Sequence, residues 1–398
     1  MSSMPTKLGD LCSVITKGTT PTSIGFDFSD SGVRFLRVQN IFDGKVNYDD
    51  DTLFIGEDVH DALKRSQIAP GDVLISIAGT IGRTGIVPDH APELNCNQAV
   101  AILRTNEKVY QPFLRHWLES AEAQRQMRGA TVTGTIQNLS LSQIGELRIP
   151  LPPLPEQRRI AAILDKADAL RTKRREALAQ LDRLAQSMFV EMFGDQRPGS
   201  VGANSVKLTE LVDINPRLSP DERILLSEAD VTFVPMAAVS ESERRLVSVD
   251  LRPYSQVAKG YTSFKRGDVL LAKITPCYEN GKMAITSALP TEYGFGSTEF
   301  HVFRAPSEEL ALFVFYLLGQ DWVFEVGAKS MKGAAGQRRV PADFFGELLV
   351  SRPEPRHLKE FLIRVSKIEG MKNAARRALA DMDSLFSSLQ SRAFSGSL

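Results

Sequence analysis

The sequence has few cysteines, and their spacing matches no disulfide or metal-binding motif. Cys12, Cys96 and Cys277 lie far apart without a Cys-x-x-Cys motif, and the five histidines show no metal-ligand spacing beside them. A disulfide framework and a zinc site are therefore not expected. The sequence predicts neither a metal nor a cofactor.

Long apolar runs and an excess of one charge are also missing. No run approaches membrane-spanning length, and the N-terminus MSSMPTKLGD lacks the charged and apolar regions of a signal peptide, so a cytoplasmic location is expected. Lysine plus arginine equals aspartate plus glutamate at 48 each. Because the chain as a whole is not basic, any contact with nucleic acid has to come from local charge.

Recognisable catalytic motifs are absent as well. The nearest string to the Asn-Pro-Pro-aromatic motif of amino methylation is Asn215-Pro216-Arg217. Gly281-Lys282 is preceded by Pro276 where a phosphate-binding loop needs glycine. No catalytic residue is predicted, and the chain is not expected to be an enzyme by itself.

What the sequence does contain is a long heptad pattern at 151–194. Apolar residues recur there at alternating steps of three and four, broken only by Arg174, which indicates one long helix with an apolar stripe. Pro155 is compatible with the first helical turn, and Gly194 supplies a left-handed stop. The stripe consists of Ile160, Ile163, Ala167, Leu170, Ala177, Leu181, Leu184 and Met188.

The C-terminal part repeats this pattern. A constant shift of 198 residues carries Ile160 to Leu358, and the same shift carries the basic interruption Arg174 to Lys372. We interpret the two helices as copies. The second stripe consists of Leu358, Phe361, Val365, Ile368, Ala375, Leu379, Met382, Phe386, Leu389 and Ala393.

The globular sequences before the two helices share short anchors in the same order. Lys-Leu near the start, Gly-Asp-Val-Leu at 71–74 and 267–270, and Gly-Glu-Leu at 145–147 and 346–348 all recur. We therefore interpret the chain as a tandem duplication of a small α+β domain, with strands at 33–38, 72–77 and 99–104 and a helix at 110–128. The predicted boundaries are 1–150 for the first domain, 151–195 for its helix, 196–206 for a linker, 207–352 for the second domain and 353–398 for its helix.

The motifs and their duplication resemble the specificity subunit of type I restriction-modification systems. The resemblance is carried by Ile149-Pro150-Leu151-Pro152-Pro153-Leu154-Pro155-Glu156-Gln157-Arg158, by Gly-Asp-Val-Leu and by Asn138-Leu139-Ser140. It implies two target-recognition domains on double-stranded DNA, two methyltransferase subunits as partners and, through them, restriction subunits. The second half departs from the pattern, because residues 353–357 lack the Glu-Gln pair.

The resemblance also implies an arrangement of the helices. Two like helices that run in opposite directions pair as an antiparallel coiled coil with pseudo-two-fold symmetry. A helix of this length spans roughly 50 Å at about 1.5 Å per residue, so two half-sites would lie at most roughly 15 base pairs apart. A split DNA target is therefore expected.

Base recognition is expected on polar loops at the ends of rigid strands, because arginine and lysine suit guanine or phosphate while asparagine and glutamine suit adenine. For most of these residues an ordinary polar surface is an equally good interpretation. The candidates in the first domain are Lys17, Thr19, Thr20, Arg37, Gln39, Asn40, Thr80, Arg83, Asn97, Arg128, Thr133 and Gln137. Those in the second domain are Arg217, Lys273, Tyr278, Asn280, Lys282, Lys329, Lys332, Gln337, Arg338 and Arg339.

Residues 327–340 form the strongest single patch, since they include four basic residues and no acidic one. We expect this loop to contact phosphate, although an exposed solvated loop would have the same composition. Two other functions remain open on the sequence. One is a coiled-coil scaffold that does not read bases, and the other is a stand-alone DNA-modifying enzyme, which the missing motifs oppose.

Overall fold

The computed structural model describes residues 5–49, 51–130, 138–202, 204–334 and 336–398. It divides into two compact units. The first unit is formed by Met1–Glu176 and Arg376–Leu398, and the second by Ala177–Ala375. Each unit therefore combines one globular domain with a segment from each of two long helices, which are Leu154–Phe193 and Pro355–Ser395.

The first unit is built on a six-stranded sheet and two smaller sheets. In spatial order the large sheet contains Cys12–Lys17, Val100–Thr105, Val73–Ser76, Thr84–Ile86, Gly44–Val46 and Ile41–Phe42. The smaller sheets are Leu53–Ile55, Val33–Leu36 and Leu94–Cys96, and the pair Pro5–Lys7 with Arg148–Pro150. The α-helices of the globular part are Glu57–Ala62, Gln111–Leu118, Ala121–Ala130 and Leu141–Glu146.

The second unit has a corresponding set of sheets. One four-stranded sheet contains Asp213–Ile214, Phe300–Arg304, Val269–Ala272 and Met283–Ile285. Another contains Asp250–Pro253, Asp230–Val234, Tyr293–Gly296 and Thr262–Lys265, and Ser205–Lys207 pairs with Leu349–Ser351. The α-helices of the globular part are Pro220–Leu225, Tyr254–Val257, Glu308–Leu318, Asp321–Ser330 and Ala342–Gly346.

The anchors that repeat in the sequence meet each other in the structure. The ammonium of Lys7 lies 2.8 Å from the Glu146 carboxylate, and that of Lys207 lies 2.6 Å from Glu347. In both units the strand that holds the lysine pairs antiparallel with the strand that follows the glutamate. The mixed α/β fold with two similar domains in tandem, each followed by a long helix, is therefore as the sequence predicts.

The predicted strands of the first domain are present with small differences in their bounds, whereas the predicted helix at 110–128 is divided. Gln111–Leu118 ends before Ser120, and Ala121–Ala130 starts after it. The Ser120 hydroxyl accepts a hydrogen bond from the N–H of Ala123 at 3.3 Å. This serine therefore caps a new helix, which explains the break.

The first long helix begins and ends where the sequence predicts. Pro155 lies in its first turn, and Gly194 follows it with φ of 77° and donates its N–H to the Val190 carbonyl. Its stripe differs from the prediction at Leu170 and Leu184, which are 49% and 47% exposed. The second long helix keeps the predicted stripe, with buried residues Phe361, Val365, Ile368, Ala375, Phe386 and Ala393.

Segments of the two long helices run antiparallel within each unit. In the first unit Arg159 donates to the Leu398 carbonyl and Arg171 donates to Asp383 at 2.6 Å. In the second unit Asp182 pairs with Lys372, while the Phe193 ring lies 5.3 Å from that of Phe361. In both units, residue numbers that increase along the first helix contact residue numbers that decrease along the second.

No single helix among the described residues is long and apolar enough to cross a membrane. Glu308–Leu318 and Asp321–Ser330, bent by 69° at their junction, have the length and composition of a membrane span only when taken together.

Candidate DNA interface

One end of the large sheet in the first unit holds three neighbouring loops. The register pairs Lys17 with Ala101, Val100 with Ser76, and Ile75 with Thr84. Because adjacent strands are antiparallel, the segments 18–20, 77–83 and 97–99 all leave the sheet at the same end. Seven of the predicted residues lie in or beside these loops, namely Lys17, Thr19, Thr20, Arg37, Thr80, Arg83 and Asn97.

Backbone hydrogen bonds hold these segments together. The N–H of Thr19 donates to the Cys96 carbonyl at 3.1 Å, and the N–H of Asn97 donates to the Leu36 carbonyl at 3.1 Å. Thr20 donates a hydrogen bond to the side chain of Gln98. The loop that follows the strand Cys12–Lys17 therefore lies directly beside Arg37 and Asn97.

The three candidates next to this loop, Arg37, Gln39 and Asn40, differ in how available their side chains are to DNA. Arg37 donates to the carbonyl and the carboxylate of Asp51 at 2.9 and 3.1 Å, and Gln39 also hydrogen-bonds that carboxylate. Asn40 is only 2% exposed, and its side-chain oxygen accepts from the N–H of Arg37. Asn40 therefore supports the turn, and its predicted contact with DNA is not retained in the proposed surface.

The other candidates of the first domain lie within the 77–83 loop, on a helix or outside the described residues. Arg83 is exposed beside the Thr80 turn, and Arg128 is exposed near the end of the helix Ala121–Ala130. Arg128 does have an interaction partner. Thr133 and Gln137 lie outside the described residues, so their predicted role stays a prediction.

The second unit presents the equivalent end of its own sheet. Ile214 pairs with Phe303, and Ala272 pairs with Phe300 in the antiparallel register. The segments 215–219, 273–282 and 297–299 therefore leave the sheet at one end. Arg217, Lys273, Asn280 and Lys282 belong to these segments, as predicted residues.

The predicted basic patch at 327–340 joins this same end. Its first four residues are helical, as part of Asp321–Ser330, and residues 332 and 339 form a short antiparallel bridge. The N–H of Thr275 donates to the Arg338 carbonyl, and that of Val340 donates to the Lys273 carbonyl, each at 2.9 Å. The patch therefore packs against the 273–282 segment and is not an isolated loop.

The cations of this patch are in different environments. Arg339 makes two 2.8 Å hydrogen bonds to the Glu299 carboxylate, which lower the pKa of Glu299, and Arg338 lies 4.0 Å from Glu279. Lys329 and Lys332 are exposed, and neither ammonium is in an ion pair with any residue that the structure describes. Gln337 is exposed as well. The two lysines are the groups most available to phosphate.

Lys273 and Lys282 are only partly accessible. Burial lowers the pKa of Lys273. Lys282 lies 3.4 Å from the Glu241 carboxylate, to which Asn280 also donates at 3.3 Å. Glu241 holds Lys282 and Asn280 in place, and a DNA phosphate would have to compete with that carboxylate.

Tyr278 is a correction to the predicted set. Its side chain is fully buried, and its hydroxyl donates to the Val323 carbonyl at 2.7 Å, so it does not belong to the surface. The ring lies 5.3 Å from the ring of Phe324. A Cβ on Gly327 would come within 1.9 Å of the tyrosine hydroxyl, which explains the glycine at the start of the patch.

Two residues outside the predicted binding set hold the loops of the second candidate interface together. His301 is 4% exposed, and its Nε2 donates to the Val340 carbonyl at 2.9 Å, while its Nδ1 lies 3.0 Å from the Asn215 side-chain nitrogen. Asn215 also accepts from the N–H of Val302 at 3.0 Å. Burial lowers the pKa of His301. A single histidine and a turn asparagine give no pattern in the sequence, so only the fold reveals this link.

In the first unit Gln98 and Arg65 were also missed. Gln98 directly follows the candidate Asn97, so the Asn-Gln pair was a possible signal. Arg65 donates to the Thr19 hydroxyl at 3.2 Å across 46 residues of sequence, and no local signal announces it. Both residues extend the polar surface around the first loop.

Within the residues that the structure describes, no group of three or more histidine, cysteine, aspartate or glutamate side chains is arranged to hold a metal ion. The interface consists instead of amides, hydroxyls, guanidinium groups and ammonium groups on loops at the end of a sheet. Such groups bind phosphates and the edges of bases.

Comparison with known proteins shows which proteins this chain is similar to. Residues 3–181 match the family model of the type I restriction modification DNA specificity domain. The specificity subunit of the type I restriction enzyme EcoEI from Escherichia coli is 31% identical over 249 residues, which cover 60% of this chain and 41% of that protein. The EcoAI specificity subunit, also from Escherichia coli, is 28% identical over 273 residues, covering 66% of this chain and 45% of that protein.

These alignments span less than half the length of the two relatives. A chain from a solved structure concerned with complex assembly of a type I restriction-modification system has the same fold. Its TM-score is 0.53 at 16% identity, and the match covers 100% of this chain and 98% of that chain. The chain is therefore similar in sequence to type I restriction enzyme specificity subunits over part of its length, and it shares its fold with a chain from a type I restriction-modification system.

Proposed function

We propose that this chain is the noncatalytic subunit that gives a type I restriction-modification complex its DNA sequence specificity. Each globular domain reads one half-site of a bipartite target in double-stranded DNA. The observation that carries the proposal is the equivalence of the two sheet ends. Each gathers polar loops at the same place in the fold, yet the residues on those loops differ.

The differences between the two loop sets support two different half-sites. The first set is rich in threonine and amide groups, such as Thr19, Thr20 and Asn97, whereas the second offers Lys329 and Lys332. Amides pair with adenine, and cations pair with guanine or phosphate. One scaffold with two different surfaces is what a split, asymmetric target requires.

The long helices are proposed to set the gap between the half-sites. Within each unit their segments run antiparallel and share the hydrophobic core of that unit, which supports pairing as an antiparallel coiled coil. Because a helix has a fixed rise of about 1.5 Å per residue, a pair of such helices gives a spacer of fixed length.

The outward faces of the helices are proposed to bind two methyltransferase subunits, and restriction subunits through them. The sequence offers charged residues there, including Arg158 and Lys173. The structure adds apolar groups, because Leu170 and Leu184 are about half exposed on the first long helix. An exposed leucine beside charged residues is a usual composition for a protein interface.

The experiment that tests this function is a map of methylated bases in cells that make the chain with its methyltransferase partner. Cells that lack only this chain are the control. We expect a split motif with a fixed gap that disappears in the control. Exchange of residues 1–150 for those of a relative should change one half-site, and exchange of 207–352 should change the other.

Two results would count against the proposal. If no methylation depends on the chain, a scaffold without base readout becomes the better explanation. If exchange of one domain alters both half-sites, the assignment of one half-site to each domain is wrong.

A further inference from the structure

A polar cleft in the second unit lies beside the loop at 215–219. Its volume is about 240 Å³, and its lining includes Arg217, Arg223, Tyr254, Tyr261, Thr262 and Ser263. No aspartate or glutamate belongs to the described lining of this cleft. The cleft therefore offers two positive charges and four hydroxyl groups to whatever occupies it.

The two arginines are available to a ligand. Both are exposed, and neither guanidinium is in an ion pair with a residue within the described ranges. In this respect they differ from Arg338 and Arg339, which have glutamate neighbours. A phosphate at Arg217 or Arg223 would not have to displace a carboxylate.

The tyrosine rings are fixed by packing. Tyr254 lies 5.6 Å from the ring of Phe295, and Tyr261 lies 4.9 Å from the ring of Phe233 in an edge-to-face contact. Tyr261 nevertheless stays 41% exposed. Each ring is held by its apolar body, so a hydroxyl can be presented to solvent without loss of much conformational freedom on binding.

The cleft is continuous with the proposed recognition end. Asn215 precedes Arg217 and is fixed to Val302 and His301, and His301 binds the carbonyl of Val340 beside the basic patch. On the other side, Thr262 pairs with Gly296, immediately before the segment 297–299. A DNA strand that contacts the recognition loops would pass this cleft.

We infer that this cleft binds one backbone phosphate of the DNA that flanks the second half-site. Arg217 and Arg223 contact the phosphate oxygens, and the hydroxyls of Tyr261 and Ser263 donate to the same group. Guanidinium and hydroxyl donors are the groups that usually contact phosphate in protein–DNA complexes. The inference rests on the proposed function, since it assigns a further contact at the same DNA surface.

The test uses the full chain in complex with its methyltransferase subunits, on a duplex that contains the target. Affinity is measured against salt concentration for the double variant Arg217→Gln/Arg223→Gln and for Tyr261→Phe. Arg266→Gln is the matched control, because Arg266 is an exposed arginine of the same unit that precedes Val269–Ala272 and so lies at the other end of the sheet.

We expect the double variant to bind more weakly at every salt concentration, with a slope of log affinity against log salt reduced by about 0.9, the value for one phosphate. Tyr261→Phe should bind more weakly without a change in slope, and Arg266→Gln should behave like the natural chain. The methylated motif should stay the same in all variants, because phosphate contacts do not specify bases.

Two results would overturn the inference while leaving the function intact. One is an unchanged affinity and slope for the double variant. The other is a changed base in the second half-site, which would show that the cleft reads bases. Loss of sequence-specific binding by the natural chain itself would instead remove the proposed function, and the inference with it.

Discussion

At the scale of single residues, one aspartate in each unit fixes the strand that leads to the proposed recognition loops. Asp72 and Asp268 are 1% and 2% exposed, and each forms two hydrogen bonds with one arginine, Arg104 or Arg304. Each carboxylate also accepts a backbone N–H three residues earlier. A buried carboxylate needs such partners, so these residues form a structural pair in both units.

The sequence could predict only part of this pair. The Gly-Asp-Val-Leu repeat is visible because a tight turn and a buried strand are both local features. The arginines lie 32 and 36 residues further on, and nothing local connects them. The same limit explains Tyr278, whose neighbours in a polar turn suggested exposure while its ring fills the core.

A pH-dependent contribution to stability is expected at Glu222. Hydrogen bonds from Lys265 and from the backbone of Ser219 lower the pKa of Glu222 from 4.5 to about 2. The folded state therefore favours the ionised carboxylate, and this stabilisation is complete above about pH 4.5 and is lost as pH falls toward about 2. Solvent reaches the pair, so its contribution is about 1 kcal/mol at neutral pH.

The measurement compares thermal unfolding of the natural chain and of Glu222→Gln at several pH values. The midpoint of Glu222→Gln should be lower at neutral pH, and the two midpoints should converge as the solution is acidified. A difference that stays constant with pH would contradict the assignment of the effect to ionised Glu222.

At the scale of elements, the long helices show that the spacing of apolar residues only partly predicts which residues of one helix contact the other. We call this set of contacting residues the contact line. Arg171 of the first long helix bonds Asp383 of the second, and Asp182 bonds Lys372. The contact line therefore passes through charged positions, and it leaves Leu170 and Leu184 outside. Periodicity predicted the helices, their ends and the second stripe, but it could not show which charged residues face a partner.

Lys372 provides a prediction for this contact line. It is 5% exposed, and its ammonium lies 2.6 Å from Asp182 and also contacts Glu369. Removal of both acids in Asp182→Ala/Glu369→Ala leaves a buried charge without these partners and should cost about 3 kcal/mol. Lys372→Met removes the charge at similar volume and should change stability by less than about 1 kcal/mol.

Urea unfolding followed by circular dichroism measures both variants. The triple variant that adds Lys372→Met to the two alanines is the control, and it should recover most of the lost stability. If the triple variant is as unstable as the double variant, the loss comes from the acids' other contacts and not from an unpaired ammonium.

At the scale of the whole molecule, the sequence predicted the duplication because helix periodicity and short anchors survive where loop residues differ. The residues of each candidate DNA interface were harder to predict, since strands brought together by the fold come from distant parts of the chain. Arg65 beside Thr19 and His301 beside Asn215 are examples. Local composition identified the basic patch but not the glutamates that neighbour it.

The proposed role of the long helices as a spacer gives a prediction at this scale. Seven residues inserted within 177–184, together with seven within 370–377, preserve the heptad pattern of both helices. Asp182 and Lys372 then still pair with each other. Each helix becomes about 10.5 Å longer, which corresponds to about three base pairs at 3.4 Å each. The methylated-base map should then show a longer gap between unchanged half-sites.

Insertion into one helix alone is the control, because it shifts the two stripes out of register and should abolish methylation. A gap of unchanged length in the double insertion, with methylation retained, would mean that the helices do not set the spacing.

The division of the chain into units also has a consequence for its biosynthesis. The first unit needs Phe386, Ala393 and Phe394 from the second long helix, and the ring of Phe394 lies 5.4 Å from that of Phe113. Translation passes through roughly 200 residues between Glu176 and Arg376, which takes roughly 20 s at about 10 residues per second. During that interval the first domain has left the ribosome with part of its apolar surface uncovered, and a chaperone has time to bind there.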